Sequence, residues 1–308
     1  MACADAAGPT LPVVQTEDVA RFFSVFDQAD GAPTAAQLQR DYLDPGTDGL
    51  HQFVTSRIGS AQKLAEKIEK TPALFEQARA CADALPGIRE RLESVFVKLA
   101  GIYPPATFPP VTIVVGRGTT GGTTTPAGVI IGLETICKSN WLQPDITERF
   151  VHLIAHEYAH VQQPGAAIDP PKDPRLLYQA LIEGGAEFVG EMISGEVANV
   201  HLQQWTRGQE CRIEKEFQAE AGGTDVRRWL YNGVGSQERP GDLAYWVGYR
   251  IARAYYAHAS DKVRAIAELI NLDDADAFLK ASGWTPASDC GSRAIEQIQP
   301  NPATVSGQ

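Results

Sequence analysis

A chain of 308 residues with only six histidines places three of them, with a glutamate, in the stretch VHLIAHEYAHVQQ from Val151 to Gln163. His156 and His160 stand four residues apart. On an α-helix that spacing puts both imidazoles on one face about a turn apart, where both reach one metal ion. Glu157, beside the first histidine, is placed to face an open coordination position and to act as general base on a metal-activated water. His152 lies eight residues before His160, about 12 Å along the axis at 1.5 Å per residue. It is too far to share the ion, and is expected as a packed histidine or as one that supports a ligand from behind.

Two imidazoles do not complete a zinc site, and a helix that carries histidines by coincidence is the plain alternative. The third ligand decides. One completion sets glycine three residues and histidine six residues past the second histidine, and Gln163 and Ala166 stand there instead. Another takes a glutamate from a following helix, and LIEGGAEFVGEMISG offers Glu183. Glu187, one turn further, is placed to accept an N–H from a liganding imidazole and fix its tautomer. Their helix is expected to start at Asp173-Pro174, a cap residue followed by proline in the first turn, and to run to about Ser194. The pair Gly184-Gly185 inside it costs about 1 kcal/mol per glycine relative to alanine. Close approach of another backbone explains that cost, and the histidine-bearing helix is the expected neighbour. Alone, EGGAE reads equally well as a solvated acidic stripe; with His156 and His160 it points to one zinc ion per chain held by His156, His160 and Glu183.

The elements that must position these groups are legible to different degrees. Asp145 with Glu148 three residues on starts the histidine helix, and Pro164-Gly165 stops it. The first hundred residues read as helices at EDVARFFSVFDQAD, AAQLQRDYL, SAQKLAEKIEK and GIRERLESVFVKLAGIY, from apolar residues at three-to-four spacing, with turn signals such as DPGTDG between them. VTIVVG and GVIIGLETI are β-branched runs expected as neighbouring strands. GRGTTG between them has the glycine spacing of a dinucleotide-binding turn, but that motif must open a helix; a second strand follows here, so a glycine-rich hairpin or loop is expected. The fold class is α+β, mainly helical, with a small sheet packed on the histidine helix. A flexible leader is expected over 1–15 and one domain over 16–298, with a helical region at 16–103, the sheet at 110–136 and a zinc-bearing helical core at 145–282. QPNPATVSGQ ends in a disordered tail at 299–308.

Composition bounds the partners. A net charge of −11 opposes binding to nucleic acid or anionic membranes, which need a basic footprint; Arg227-Arg228 and Lys67 to Lys70 read as solvated surface. No apolar run approaches the roughly 20 residues of a membrane span. MACADAAGPTLP reads as the small-residue leader of a mature exported chain. The five cysteines, Cys3, Cys81, Cys137, Cys211 and Cys290, form no CxxC pair. In an exported chain four of them would make two disulfides, leaving Cys3 over as a site for a lipid anchor.

HEYAH followed by EGGAE resembles the gluzincin zinc metallopeptidases, in which HExxH and a downstream glutamate element supply the ligands. Four segments further resemble the predicted zinc-dependent proteases related to gliding-motility lipoproteins: VARFFSVFDQA with QRDYLDPGTDGL, GGTTTPAGVIIGLE, HEYAHVQQ with LIEGGAEFVGE, and RPGDLAYWVGYRIARAYY. Together they span about Asp18 to Ser282. The resemblance implies His156, His160 and Glu183 as zinc ligands, Glu157 as base, and hydrolysis of peptide bonds in a peptide or protein substrate in the periplasm or envelope. Glu187 stands where many gluzincins have aspartate. By the same comparison GGTTTPAGVIIGLE is the edge strand along which a substrate backbone lies, with Gly121, Gly122 and Thr123 at its head; an ordinary edge strand guarded by Pro126 is the alternative. For the oxyanion donor, the resemblance points to the aromatic helix DLAYWVGYRIARAYY, where Tyr245 and Tyr249 share a face and Tyr245 is preferred; burial in the core is the alternative there. The competing function is that of a non-enzymatic envelope lipoprotein or assembly factor with a vestigial or structural zinc site.

Overall fold

The sequence spacing expected to make helices does so, and it also makes some that were not expected. In the computed structural model, which describes residues 11–139, 142–164, 171–236 and 238–288, the chain opens on a short strand, β1 (Val14–Gln15), then α1 (Glu17–Gln28) and α2 (Ala35–Leu38). α2 runs straight into a π-helical turn at Gln39–Leu43, and α3 (Asp48–Phe53) into another at Val54–Ile58. α4 (Ala61–Lys70), α5 (Pro72–Ala82) and α6 (Leu85–Ile102) complete the first half. The four expected helices correspond to α1, to α2 with its π turn, to α4 and to α6. α3 and α5 are additional, and Val14–Gln15 belongs to the sheet although it falls in the segment expected as leader. Residues 1–10, with Cys3, and the tail at 299–308 lie outside the described residues. Buried rings organise this half, with Phe22 stacked on Phe75 at 5.7 Å and edge-on to Tyr42 at 5.2 Å.

β2 (Val111–Val114), β3 (Gly122–Thr125) and β4 (Gly128–Gly132) complete a four-stranded sheet in the order β1-β2-β4-β3. β2 pairs in parallel with both β1 and β4, while β3 pairs antiparallel to β4 and forms an edge. β2 and β4 are buried throughout, as near-continuous apolar runs of parallel strands require. The second apolar run is only half strand, because LETICK turns into the helix α7 (Leu133–Lys138). Glu134 on that helix accepts the N–H groups of Gly116 at 2.9 Å and of Gly118 at 2.7 Å. The protein's own carboxylate thus fills the amide-lined turn of GRGTTG, where a phosphate would sit in a nucleotide site.

Seven helices follow in the described residues: α8 (Ile146–Gln162), α9 (Leu176–Ser194), α10 (Val200–Thr206), α11 (Glu210–Glu220), α12 (Leu243–His258), α13 (Lys262–Ile270) and α14 (Ala275–Ser282). The mainly helical α+β class holds. Asp145 caps α8 by accepting the Glu148 N–H at 2.9 Å. α9 starts two residues later than expected: Asp173 accepts the Arg175 N–H at 2.9 Å and braces its guanidinium, so the helix begins at Leu176.

α9 is the buried axis of this half, with α8 on one side and α12 on the other. The close backbone approach that explains Gly184 does occur, but the partner is α12 and not the histidine helix. A Cβ on Gly184 would stand 2.1 Å from the Tyr249 nitrogen, and one on Gly248 would stand 1.8 Å from the Ala180 carbonyl oxygen. Gly185 instead meets side chains of Leu269 and Gln163, and Gly190 is the glycine that faces α8, where an added Cβ would stand 3.3 Å from the His156 nitrogen. A disulfide, Cys81–Cys137, ties α5 to α7, and Cys211 on α11 is disulfide-bonded as well; Cys290 lies outside the described residues. No described helix is long and apolar enough to cross a membrane.

Candidate metal centre

α8 and α9 bring three donor side chains to one point. His156 and His160 approach through their Nε2 atoms at 3.0 Å. Glu183 Oε2 lies 3.1 Å from His160 Nε2 and 3.7 Å from His156 Nε2. Zinc–nitrogen and zinc–oxygen bonds of about 2.0–2.2 Å in a tetrahedron require donors about 3.3 Å apart. The observed separations bracket that value, so the residues fit the ion. The side chains of His160 and Glu183 are each 11% exposed against 5% for His156, so what exposure the buried cluster has lies on the His160 and Glu183 side.

Each imidazole is held from behind by its other nitrogen. His160 Nδ1 lies 2.7 Å from Gln163 Oε1, and Gln163 is itself anchored by donating from Nε2 to the Ile182 carbonyl at 2.9 Å. His156 Nδ1 lies 3.2 Å from Glu187 Oε1, close enough for an ion pair though not aligned as a hydrogen bond. Glu187 is fixed in turn by the backbone and side-chain N–H groups of Asn199. This is the arrangement that selects the Nδ1–H tautomer and presents Nε2 to a metal. Burial alone would depress the pKa of His156; Glu183 and Glu187 outweigh it and raise the imidazole to about 10 in the metal-free protein. Burial works against ionised Glu183 too, yet the charge of His160 and the bonds to both histidines hold its carboxyl well below the usual range.

Glu157 faces the sheet. Its Oε2 accepts the Thr124 hydroxyl at 3.1 Å, and a Cβ on Gly122 would stand 2.7 Å from its Oε1. The glycines at the head of β3 are thus packed by side chains of the protein itself, Gly122 by Glu157 and Gly121 by Ile136, whose Cδ1 would be 2.7 Å from an added Cβ. Thr123 accepts from Arg57 at 3.4 Å and lines a cleft of ≈ 520 Å³ with His51, Gln52, Thr55 and Ser56.

The two tyrosines of α12 separate. Tyr245 is stacked on His156, with ring centroids 5.7 Å apart; burial and then the charge of Glu183 raise its pKa well above the usual value. Tyr249 turns away and donates to Glu191 at 2.7 Å. His152 is likewise occupied elsewhere, with Nδ1 2.9 Å from Ser194 Oγ and Nε2 3.4 Å from Glu148.

Four residues of the site were not expected. Gln163 had a signal available, because it stands three positions after His160 and so on the same helical face. Thr124 lies in the expected edge strand. Asn199 and Tyr231 come from connecting segments with no periodicity to announce them. Tyr231 donates its phenol to Glu183 Oε1 at 3.3 Å, and its backbone sits at φ 58°, a conformation that costs a non-glycine residue about 1–2 kcal/mol. Asn232 and Asp242 hold the base of its loop by reciprocal bonds, the Asn232 N–H to Asp242 at 3.3 Å and the Asp242 N–H to Asn232 at 2.7 Å. No family model, curated protein or solved structure matches the chain.

Proposed function

We propose that the protein is a zinc-dependent peptidase of the kind its HEYAH and EGGAE segments resemble. The observation that carries this reading is the convergence of His156 Nε2, His160 Nε2 and Glu183 Oε2 at 3.0 to 3.7 Å, with Glu157 on the same helix turn. A zinc ion held there would supply Lewis-acid polarisation of a carbonyl and lower the pKa of water at the site. Glu157 accepts a proton at its carboxylate and returns it to the leaving amine. Its orientation comes from the Thr124 hydroxyl, and Gly122 leaves it room. Tyr245 and Tyr231 both lie against Glu183, and burial first and then the charge of Glu183 keep their phenols protonated, so each is an O–H donor for a developing oxyanion. The edge strand β3 offers unpaired backbone groups to an extended peptide.

Three converging donors favour this reading over the structural or vestigial site of a non-enzymatic lipoprotein, because a structural zinc is normally closed by four protein ligands. The Cys81–Cys137 bridge supports an extracytoplasmic location, since disulfides persist in oxidising compartments. The direct test is Glu157→Gln on zinc-loaded protein, with cleavage of a quenched peptide mixture and bound zinc measured together. Hydrolysis should be abolished while zinc is retained, since the amide cannot take the proton; unchanged cleavage would remove Glu157 from the mechanism.

A further inference from the structure

Although the chain carries a net charge of −11, four cations lie around the turn at the head of β3 and a fifth lies at the end of the π turn that this turn touches. Arg117 donates from Nη2 to the Arg57 carbonyl at 2.8 Å, and Arg57 reaches Thr123 Oγ1 at 3.4 Å. Lys138 donates to the Gly118 carbonyl at 2.9 Å. Lys67 lies beside the same glycine, and Lys63 lays its amine over Gly59, where the π turn carrying Arg57 ends. These side chains come from separate segments: the π turn, α4, the loop between β2 and β3, and α7. Lys67, expected as isolated solvated surface, is thus part of a cluster built by the fold.

The cluster lacks ion-pair partners. None of the five forms an ion pair with a carboxylate among the described residues, whereas Arg21, Arg79, Arg91, Arg175, Arg212 and Arg228 all do. The carboxylate inside the turn, Glu134, is buried and already accepts the N–H groups of Gly116 and Gly118; it can offset one charge of five. Arg117 Nε has no hydrogen-bond partner. Gathering like charges with one buried carboxylate among them costs stability and creates a local positive potential on an otherwise acidic protein. Thr123, which Arg57 contacts, follows Gly122, the residue packed on Glu157.

From this placement we infer that the turn is an anion-binding subsite for the carboxylates of an acidic peptide lying along β3, an inference whose catalytic consequence rests on the peptidase reading above. A peptide is the fitting source of the anion because the adjoining edge strand pairs with extended backbone. Chains rich in acidic residues are repelled by the rest of the surface and held at this end of the strand, so the subsite selects substrates by charge.

The test compares a fluorescent extended peptide carrying a block of glutamates with the same peptide carrying glutamines, on the full chain. Binding is read by anisotropy at low and at physiological ionic strength, with inorganic phosphate as competitor. The glutamate peptide should bind about tenfold tighter at low salt, and the preference should disappear in Arg57→Gln/Arg117→Gln/Lys138→Gln. Arg57→Gln alone, at an exposed guanidinium, guards against misfolding of the triple variant and should weaken the preference in part. Equal binding of the two peptides, or a preference that survives the substitutions, would overturn the subsite. Displacement by phosphate at equal ionic strength, with no advantage for the glutamate peptide, would instead assign the turn to a phosphate group and also overturn it. Cleavage of the same peptides is scored separately: charge-selective binding without cleavage by the zinc-loaded protein refutes the peptidase reading and leaves the subsite standing.

Discussion

The two sides of α9 are built by opposite means. Toward α12 the contact is bare backbone: Gly184 and Gly248 let the helices touch where any side chain would collide with main-chain atoms. Toward α8 the contact is polar, with Glu183 and Glu187 meeting His156 and His160 in a buried cluster. The difference teaches that the polar face depends on the bare one. Buried charges are tolerated only when their partners are held in good geometry, and a helix clamped at backbone contact cannot slide its carboxylates away from the imidazoles.

Breaking the bare side should have the largest effect. Gly248→Ala forces a Cβ to within 1.8 Å of the Ala180 carbonyl oxygen, an overpacking that costs about 3 kcal/mol or more. Gly185→Ala meets only side chains of Leu269 and Gln163 at 3.2 Å and beyond and should stay within about 1 kcal/mol of the parent. Chemical denaturation of the two variants tests the contrast, and similar midpoints would refute the clamp.

On the polar side, Glu183→Ala removes a donor atom and should abolish tight zinc binding. Glu187→Ala removes only the brace behind His156 and should weaken binding about 10- to 100-fold. Competition with a chromophoric chelator ranks the two, and the reverse order would make Glu187 the ligand. Proton linkage is a smaller effect. In the metal-free protein His156 is raised to about 10 from 6.5. The stability it contributes is therefore complete below pH 6.5 and is lost as the pH rises toward 10. The melting temperature of metal-free protein should fall over that window, and Glu187→Gln should flatten the fall; a parent curve flat from pH 7 to 10 would contradict the ion pair. The α12 tyrosines give the finest contrast. Tyr245→Phe should lower turnover about 100-fold with zinc unchanged, while Tyr249→Phe, losing only a bond to Glu191, should leave turnover near the parent's.

What was legible in the sequence follows the range of each interaction. His156 and His160 are four apart on one helix, so the helical repeat alone joins them, and Glu183 and Glu187 share a face for the same reason. Which helix packs against Gly184 could not be read this way, because a glycine marks a close approach without naming the approaching chain. Tyr231 was invisible for a related reason: it reaches Glu183 from a loop held by Asn232 and Asp242, a contact between residues 48 apart with no repeat behind it. In the sheet, both apolar runs were found, but LETICK carries the same apolar residues into a helix, where Glu134 is needed to bind the glycine turn.

The central claim is that His156, His160 and Glu183 form a three-donor zinc site, and the most direct measurement is the metal content of the purified chain by elemental analysis, before and after dialysis against zinc. The account predicts about one zinc per chain in the parent and none retained in His160→Ala. Parent protein that holds no zinc and takes none up, or His160→Ala that retains a full equivalent, would contradict it.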